Sequence, residues 1–329
     1  MDQVLDFLYV VIAFGVSTIY AGKAMRYCIN KGIYDEVTDR SSHTNPTPRG
    51  GGYSFVIVIS IFSLAWLNIG TPVINVEFLN TLFLSGIFIA YLGWLDDNHS
   101  INPLLRLTCH IAAATICAFM LPTLLTGTMP FFAEKALIII AWVWFLNLFN
   151  FMDGIDGIAA VEAAALALAL TIIAPAIKPI TLVILGSMVG FLRFNWHPAR
   201  VFMGDVGSTY LGFILAGLFI YNLQFNFINE LWVGLILTAV FVTDATYTLI
   251  IRLLKGKKPW QAHKDHFYQR AVLLGISHAQ VVKRIIGLNI LLFIFAVVAH
   301  VTTIGLYLFI ASLILLSAVA LRIRYLEGK

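Results

Sequence analysis

Apolar stretches about as long as a membrane-spanning helix recur from one end of this chain to the other. About 20 apolar residues in a helix cross the hydrocarbon core of a bilayer, and a helix satisfies its own backbone polar groups there. Only 12% of the residues are charged, against about a quarter in soluble domains. The sequence therefore predicts an all-α, polytopic integral membrane protein. Since no long polar segment remains for a soluble domain, we expect residues 1–329 to form a single transmembrane domain.

The hydropathy pattern predicts eleven transmembrane helices. The first is expected to be a retained helix rather than a signal peptide, because the N-terminus carries Asp2 and Asp6 but no basic cluster and no clear small-residue cleavage site. The final apolar region divides around His300–Thr303. The predicted helices cover approximately 4–22, 53–70, 79–95, 104–123, 135–150, 157–174, 180–192, 209–224, 231–250, 285–300 and 303–321.

The basic residues fix the orientation of these helices. With the N-terminus outside, all of the 21 lysines and arginines except Lys135 and Lys178 fall on the opposite side of the membrane. Loops rich in lysine and arginine face the cytoplasm. We therefore expect the cytoplasmic segments to be 23–52, 96–106, 193–208, 252–284 and the C-terminal tail.

Every polar cluster of interest lies on these segments or at the cytoplasmic junction of the fifth and sixth predicted helices. Carboxylates are costly near hydrocarbon, so several at one membrane face indicate a shared cation, or an anionic substrate held through one. The clusters are Arg40–Gly52, Asp96-Asp97, Asn150–Gly157, Phe202–Ser208 and His263–Arg270.

The second acidic cluster has two interpretations. Asp153 and Asp156 are three residues apart, so they project from one side of a helix that begins here and suit a metal or a nucleotide. Carboxylates also cap helix N-termini for electrostatic reasons. Asn150 is either a hard-cation ligand or the residue that ends the preceding helix.

The other acidic clusters also have more than one interpretation. Asp96 and Asp97 suit a general base beside an ion, or a solvated loop. Asp205 lies in a glycine-rich turn whose backbone N–H groups are available for phosphate oxygens. Phe202 is either a surface on which a base stacks or an interfacial anchor.

The basic segments also allow two interpretations. His263 and His266 are either functional groups or surface residues, and neighbouring lysines often serve orientation or contact anionic lipid. Arg40 and Arg49 flank a glycine-rich turn that either cradles phosphate or only forms a rigid entry to the second helix.

Together, in this order and on these loops, the motifs resemble those of the polyprenyl-phosphate N-acetylhexosamine-1-phosphate transferases. The resemblance covers nearly the whole chain. It rests on Asp96-Asp97, Asn150–Gly157, Val201–Ser208 and the late histidine-rich loop. The segments Arg40–His43, Pro46–Gly52 and Ala262–Gln269 are most similar to the subgroup that initiates O-antigen chains.

The resemblance implies a role for each matching residue. Asp205 would bind Mg²⁺ with help from Asn150, and Mn²⁺ could substitute. Asp156 and Phe202 would meet the uracil, and Asp153 would support the pyrophosphate region. Residues expected to act on the lipid phosphate or in catalysis are Asp96, Asp97, His263 and His266; Arg40, Arg49 and Arg270 would contact substrate.

Two departures from the family pattern bear on the substrate. Ser100 stands where the family often has lysine, and we expect Arg106 or an arginine of the 40–49 loop to provide the missing charge. The late loop has His263-Lys-Asp-His266 in place of three consecutive histidines. This favours a plain UDP-N-acetylhexosamine over a pentapeptide-linked donor.

The resemblance implies transfer of a sugar 1-phosphate to undecaprenyl phosphate, with release of UMP, in the bacterial inner membrane. The expected partners are the UDP-sugar, the lipid phosphate and membrane lipid, with no nucleic acid; a homodimer is compatible with the sequence. The rival hypothesis is a cation- or proton-coupled transporter, although transporter sites usually lie near the membrane midplane between repeats. A third hypothesis is a catalytically inactive scaffold for polysaccharide assembly.

Overall fold

The computed structural model describes residues 2–35, 46–69, 73–258 and 263–328. Within these ranges the protein is almost entirely helical, with one two-stranded antiparallel sheet in which Tyr34 pairs with Pro48 and Asp35 with Thr47. The strands are β1 (Tyr34–Asp35) and β2 (Thr47–Pro48). The helices are α1 (Asp2–Lys31), α2 (Tyr53–Asn68), α3 (Val76–His99), α4 (Pro103–Met120), α5 (Phe131–Phe151), α6 (Ile158–Ile173), α7 (Lys178–Asn195), α8 (Gly204–Asn222), α9 (Phe227–Leu237), α10 (Ala239–Leu254), α11 (Phe267–Leu273), α12 (His278–Val301) and α13 (Gly305–Glu327).

The helices confirm the prediction of an all-α polytopic membrane protein. Eight are long and apolar enough to span a bilayer, and α9 with α10 meets the same criterion only when the bent pair is taken as one unit. The two shorter apolar helices, α2 and α6, have 16 residues each. These eleven units coincide with the eleven predicted helices, and the last two separate after Val301 as expected.

Two local features differ from the sequence prediction. The span expected at 231–250 is broken, since α9 and α10 meet at Thr238 with a bend of 69°. Segment 252–284, expected to be a loop, contains the short helix α11. Hydropathy shows neither feature, because the bend lies inside a continuous apolar run and α11 is too short to produce a period.

Helix α8 is at the centre of the bundle and α13 is at its periphery. Nearly all of α8 is buried, and it packs against α3 and α5. Trp142 of α5 donates a hydrogen bond from its indole N–H to the backbone carbonyl of Phe213 at 2.9 Å. By contrast, only Gly305, Ser312 and Leu316 of α13 are buried. The N-terminus of α8, which carries Asp205, is therefore held on a rigid central element.

Close packing brings the end of α3 to the start of α8. A Cβ atom on Gly93 would lie 2.5 Å from the carbonyl oxygen of Asp205, so only glycine permits this approach. Gly204 has φ of +71°, and a Cβ there would lie 2.5 Å from an Asp97 carboxylate oxygen. Small residues thus allow helices to meet closely in a membrane protein, and here they place Asp97 against Asp205.

Candidate active site

Asp97 caps the start of α8. Its carboxylate accepts hydrogen bonds from the backbone N–H groups of Asp205 at 3.0 Å and Val206 at 3.1 Å. It also forms an ion pair with Arg49 at 2.7 Å. A carboxylate at a helix N-terminus satisfies unpaired N–H groups and is favoured by the helix dipole. Since its side chain is only 3% exposed, Asp97 is fully engaged in holding this site together.

Two arginines bridge the carboxylates of α3 and α8. Arg49 lies 3.1 Å from one oxygen of Asp205, and Arg106 lies 2.9 Å from the other. Arg106 also pairs with Asp96, whose side chain is more exposed than that of Asp97, at 13%. The structure thus places both predicted charge sources, Arg106 and an arginine of the 40–49 loop, at the acidic cluster. Arg40 lies outside the described residues.

The pKa of Arg49 follows from this environment. Burial alone would lower it, but the charges of Asp97, Asp205 and Asp35 raise it above its ordinary value. The guanidinium is therefore a permanent cation at the acidic cluster.

Asp153 and Asn150 complete the cluster. Burial raises the pKa of Asp153 well above its usual range, and the charge of Asp205 raises it further. The Asn150 amide donates to the Ser208 hydroxyl at 2.8 Å and also contacts the Asp205 carboxylate. Asn150 lies in the last turn of α5, and Asp153 lies in the segment between α5 and α6.

The cluster carries more negative than positive charge. Three carboxylates (Asp96, Asp97 and Asp205) face two guanidinium groups (Arg49 and Arg106), and Asp153, whose raised pKa favours its neutral form, adds a fourth acid, so the acids outnumber the bases. Carboxylate and amide oxygens are the ligands that hard divalent cations prefer. The residues present therefore fit one Mg²⁺ ion, in both donor type and charge.

Asp156 belongs to a neighbouring network. Its carboxylate lies 2.6 Å from His197 Nδ1 and 3.3 Å from His278 Nδ1, and it accepts from the Ala199 N–H at 3.2 Å. Burial alone would raise the pKa of Asp156, but the hydrogen bonds from His278 and His197 lower it below its ordinary value. Asp156 is thus a fixed acceptor at the same end of the bundle. Sequence reasoning missed His197 and His278, because neither belongs to a recognisable motif.

The late histidine-rich loop is anchored by another residue that sequence reasoning missed. Asp244 of α10 accepts hydrogen bonds from the backbone N–H groups of Phe267 at 3.0 Å and Tyr268 at 3.1 Å, and lies 3.2 Å from His266 Nδ1. The Tyr268 hydroxyl donates to the Phe151 carbonyl at 3.1 Å, which joins the loop to the Asp153 segment. A carboxylate inside a predicted span is a signal that could have identified Asp244.

Three other predicted site residues, His263, Phe202 and Arg270, have different surroundings. His263 is half-buried, and burial together with the charge of His266 lowers its pKa to about 4. Phe202 pairs through its backbone with Pro48, and its side chain is half-buried. Arg270 forms an ion pair with Glu327 of α13, and the structure does not bring it to the carboxylates.

Fold and site together define a multi-pass membrane protein with an acidic, arginine-bridged centre at one end of its helices. A family profile described as Glycosyl transferase family 4 matches residues 79–222, the part that carries Asp96, Asp97, Asn150, Asp153, Asp156 and Asp205. This match covers 144 of the 329 residues, so the central part of the chain is similar to this family.

Curated relatives agree with the family match. The chain is 27% identical to a protein named probable undecaprenyl-phosphate N-acetylglucosaminyl 1-phosphate transferase from Bacillus subtilis, over 93% of this chain and 89% of the relative. It is 34% identical to a phospho-N-acetylmuramoyl-pentapeptide-transferase from Synechococcus elongatus, over 62% and 63%. It is 26% identical to a decaprenyl-phosphate N-acetylglucosaminephosphotransferase from Mycobacterium leprae, over 74% and 71%. All three names describe transferases of a sugar phosphate, and two of them specify a polyprenyl phosphate.

Proposed function

We propose that this protein transfers an N-acetylhexosamine 1-phosphate from a UDP-sugar to undecaprenyl phosphate, forming a lipid-linked pyrophosphate and releasing UMP. The observation that carries the proposal is the cluster of four carboxylates and two arginines at one end of the bundle. A long polyprenol stays in the bilayer, so its phosphate has to be met at the interface. The charge distribution supports a cytoplasmic site in the bacterial inner membrane.

Asp205 and Asn150 would hold Mg²⁺, which supplies positive charge to phosphate oxygens when bound. Arg49 and Arg106 lie against the same carboxylates and can exchange them for phosphate oxygens as substrate enters. Asp96 is more accessible than Asp97, so it is better placed to orient the lipid phosphate and accept any residual proton. Asp97 holds the cluster in shape.

The nucleotide would lie against the Asp153–Asp156 segment. Asp156 is fixed as an acceptor by His197 and His278, which suits recognition of a uracil edge. Phe202 would contact the ring, and Asp153 would lie toward the pyrophosphate. His263 and His266 would approach the phosphates or the sugar from the loop that Asp244 anchors.

The donor we favour is UDP-N-acetylglucosamine or a 6-deoxy relative. The names of the Bacillus and Mycobacterium relatives specify N-acetylglucosamine, and the spacing of His263 and His266 departs from the pattern of pentapeptide-linked donors. The lipid product would initiate O-antigen or another cell-envelope polysaccharide.

We favour direct displacement. An oxygen of the lipid phosphate forms a bond to the sugar-proximal phosphorus, the bond from that phosphorus to the bridging oxygen breaks, and UMP leaves with the electron pair. The lipid phosphate is already largely ionised near neutral pH, so no covalent enzyme intermediate is needed. Exchange of labelled UMP into UDP-N-acetylglucosamine without any lipid acceptor, after removal of copurified lipid, would instead show a covalent route.

The test of the proposal is UMP release by purified protein with Mg²⁺, undecaprenyl phosphate and a panel of UDP-N-acetylhexosamines. We expect release only when both substrates are present. A transporter or an inactive scaffold would release no UMP with any donor. A donor panel in which only the pentapeptide-linked sugar reacts would contradict the proposed substrate.

A further inference from the structure

An apolar cavity opens between α10, α11, α12 and α13, beside the site. Its volume is about 700 Å³, within the range of about 300–1,000 Å³ that ligand sites occupy. Apolar side chains form most of its wall, among them Val240, Ile285, Leu288 and Leu316. Because α10, α12 and α13 belong to the predicted spans, the cavity is suited to hydrocarbon.

A second cavity, of about 670 Å³, adjoins the first at the end of α10. Its basic lining residues are Arg252, Lys255, Lys257, Arg270 and Arg324, and its acidic ones are Asp265 and Glu327. Arg252 pairs with Asp265, and Arg270 pairs with Glu327.

Three cations of this second cavity remain in excess. Among the described residues, Lys255, Lys257 and Arg324 form no ion pair with a carboxylate. The second cavity therefore carries a net charge of about +3 at neutral pH. It suits an anionic group at the membrane surface.

Arg324 stands where the two cavities meet. Its guanidinium lies over the rings of Tyr247, at 5.2 Å, and Phe267, at 6.0 Å, and all three residues line both cavities. A cation held over aromatic rings is fixed in position. The result is an apolar chamber that ends in a positive one, which matches an acyl chain joined to a phosphate.

We propose that these paired cavities bind one anionic glycerophospholipid, with an acyl chain between α10, α12 and α13 and its phosphate at Lys255, Lys257 and Arg324. Basic pockets between membrane helices on the cytoplasmic side are suited to anionic head groups. The basic cavity shares no lining residue with the Asp96–Asp97–Asp205 cluster, so this lipid is distinct from one that reacts there.

The bound lipid steadies the histidine-rich loop. Asp244 and Tyr268, which anchor that loop, line the apolar cavity, and Phe267 at the start of α11 lines both cavities. Filling the space beneath α11 therefore restricts its motion and favours the position of His266. Lipid binding at these cavities does not depend on which sugar or lipid phosphate the enzyme uses.

The test is native mass spectrometry of the purified full chain with dioleoylphosphatidylglycerol, dioleoylphosphatidylcholine or undecaprenyl phosphate. We expect one phosphatidylglycerol molecule to bind preferentially, and Lys255→Gln/Lys257→Gln to weaken that binding about thirtyfold, from about fivefold for each basic residue near a membrane surface. Both lysines are exposed, so the fold is expected to survive. The matched control is Lys31→Gln/Lys283→Gln, which removes the same charge from exposed positions outside both cavities.

A second variant tests the acyl chamber. Gly287 lines the apolar cavity, and no atom lies within 4 Å of the position that a Cβ would take there, so Gly287→Phe fills space without a clash at Cβ. We expect it to weaken phosphatidylglycerol binding at least about tenfold, as loss of a buried acyl segment implies.

Three results would overturn the proposal. The first is equal loss of binding in the control pair, which indicates general surface attraction. The second is unchanged binding in Gly287→Phe, which removes the acyl chamber from the site. The third is an equal loss of undecaprenyl phosphate binding in Lys255→Gln/Lys257→Gln, which assigns the cavities to the lipid substrate.

Discussion

The acids near the two ends of α8 differ in how their charge is balanced by neighbouring bases. At the C-terminal end, Glu230 pairs with His300 at 2.7 Å and accepts from the Asn222 amide at 2.5 Å. In the first turn of α5, also on the predicted outer side, Glu134 accepts from backbone N–H groups and lies 3.6 Å from Lys135. Each of these acids has its own base.

At the N-terminal end of α8 the acids outnumber the bases. Asp205 shares Arg49 with Asp97 and shares Arg106 with Asp96, and Asp153 adds a fourth carboxylate. Uncompensated buried charge is unfavourable for folding alone. A locally matched acid therefore indicates a structural role, whereas a surplus of acids at one face indicates a site for a cation or a cationic transition state.

The largest expected effect is at Asp205. Asp205→Asn removes the carboxylate that both arginines and the proposed Mg²⁺ share, and we expect turnover to fall at least about a hundredfold. Chelation should abolish UMP release, and Mg²⁺ or Mn²⁺ should restore it. Turnover of the variant near that of the unaltered protein would place the ion at Asp96 or Asp97 instead.

The matched control for Asp205 is Glu230→Gln in α9, which accepts from Asn222 at the other end of α8. It is expected to lower thermal stability, because Glu230 is buried and paired, while turnover of the folded enzyme stays within about twofold. A loss of turnover as large as that of Asp205→Asn would contradict the assignment of a structural role to Glu230 and a catalytic role to Asp205.

The next effect in size is at Arg106. Arg106→Gln raises the surplus negative charge by one and removes a cation from Asp96 and Asp205. We expect turnover to fall about thirtyfold, toward the lower end of the cost of breaking a buried charge pair. The Mg²⁺ concentration for half-maximal UMP release should decrease, because the site becomes more negative.

Arg200→Gln is the control for Arg106. Arg200 donates to the Arg193 carbonyl and lies over the Phe194 ring, outside the carboxylate cluster. The Mg²⁺ requirement of this variant should match that of the unaltered protein. An increase in the Mg²⁺ requirement of Arg106→Gln would contradict the surplus of negative charge at the site.

A smaller effect is expected at Asp244. Asp244→Asn weakens the acceptor that holds Phe267, Tyr268 and His266, so kcat/KM should fall about tenfold, as loss of about 1–1.5 kcal/mol of hydrogen bonding implies. Thr248→Val removes a hydrogen bond to the same carboxylate without touching the loop, and should change kcat/KM less than about twofold. Equal losses in the two variants would show that Asp244 does not act through the loop.

The sequence predicts those parts of the site in which charged residues lie at the ends of predicted helices. Asp96, Asp97 and Asp205 follow or begin long apolar runs on the basic side, so their meeting could be inferred from topology alone. Asp244 could not be placed, because its partners are backbone groups 23 and 24 residues later in the chain. The bend between α9 and α10 has no proline or glycine at Leu237–Ala239 to reveal it.

The smallest expected effect concerns His263, whose pKa is lowered from 6.5 to about 4 by burial and then by the charge of His266. Below pH 6.5 the unfolded chain takes up a proton at this imidazole that the folded protein resists. Stability therefore declines as the pH falls from 6.5 to 4, and the decline is complete below the folded pKa.

Replacing His263 with glutamine removes this contribution. Because the imidazole is half-buried and partly screened, we expect the fall in Tm between pH 6.5 and 4 to be only about 2 °C smaller in His263→Gln than in the unaltered protein. Differential scanning fluorimetry in detergent measures the change of Tm with pH in each protein. The control is His99→Gln, at an exposed position of α3. The same slope in all three proteins would show that His263 titrates alike in the folded and unfolded states. It would also show that the folded site does not alter the protonation of His263 in the histidine-rich loop.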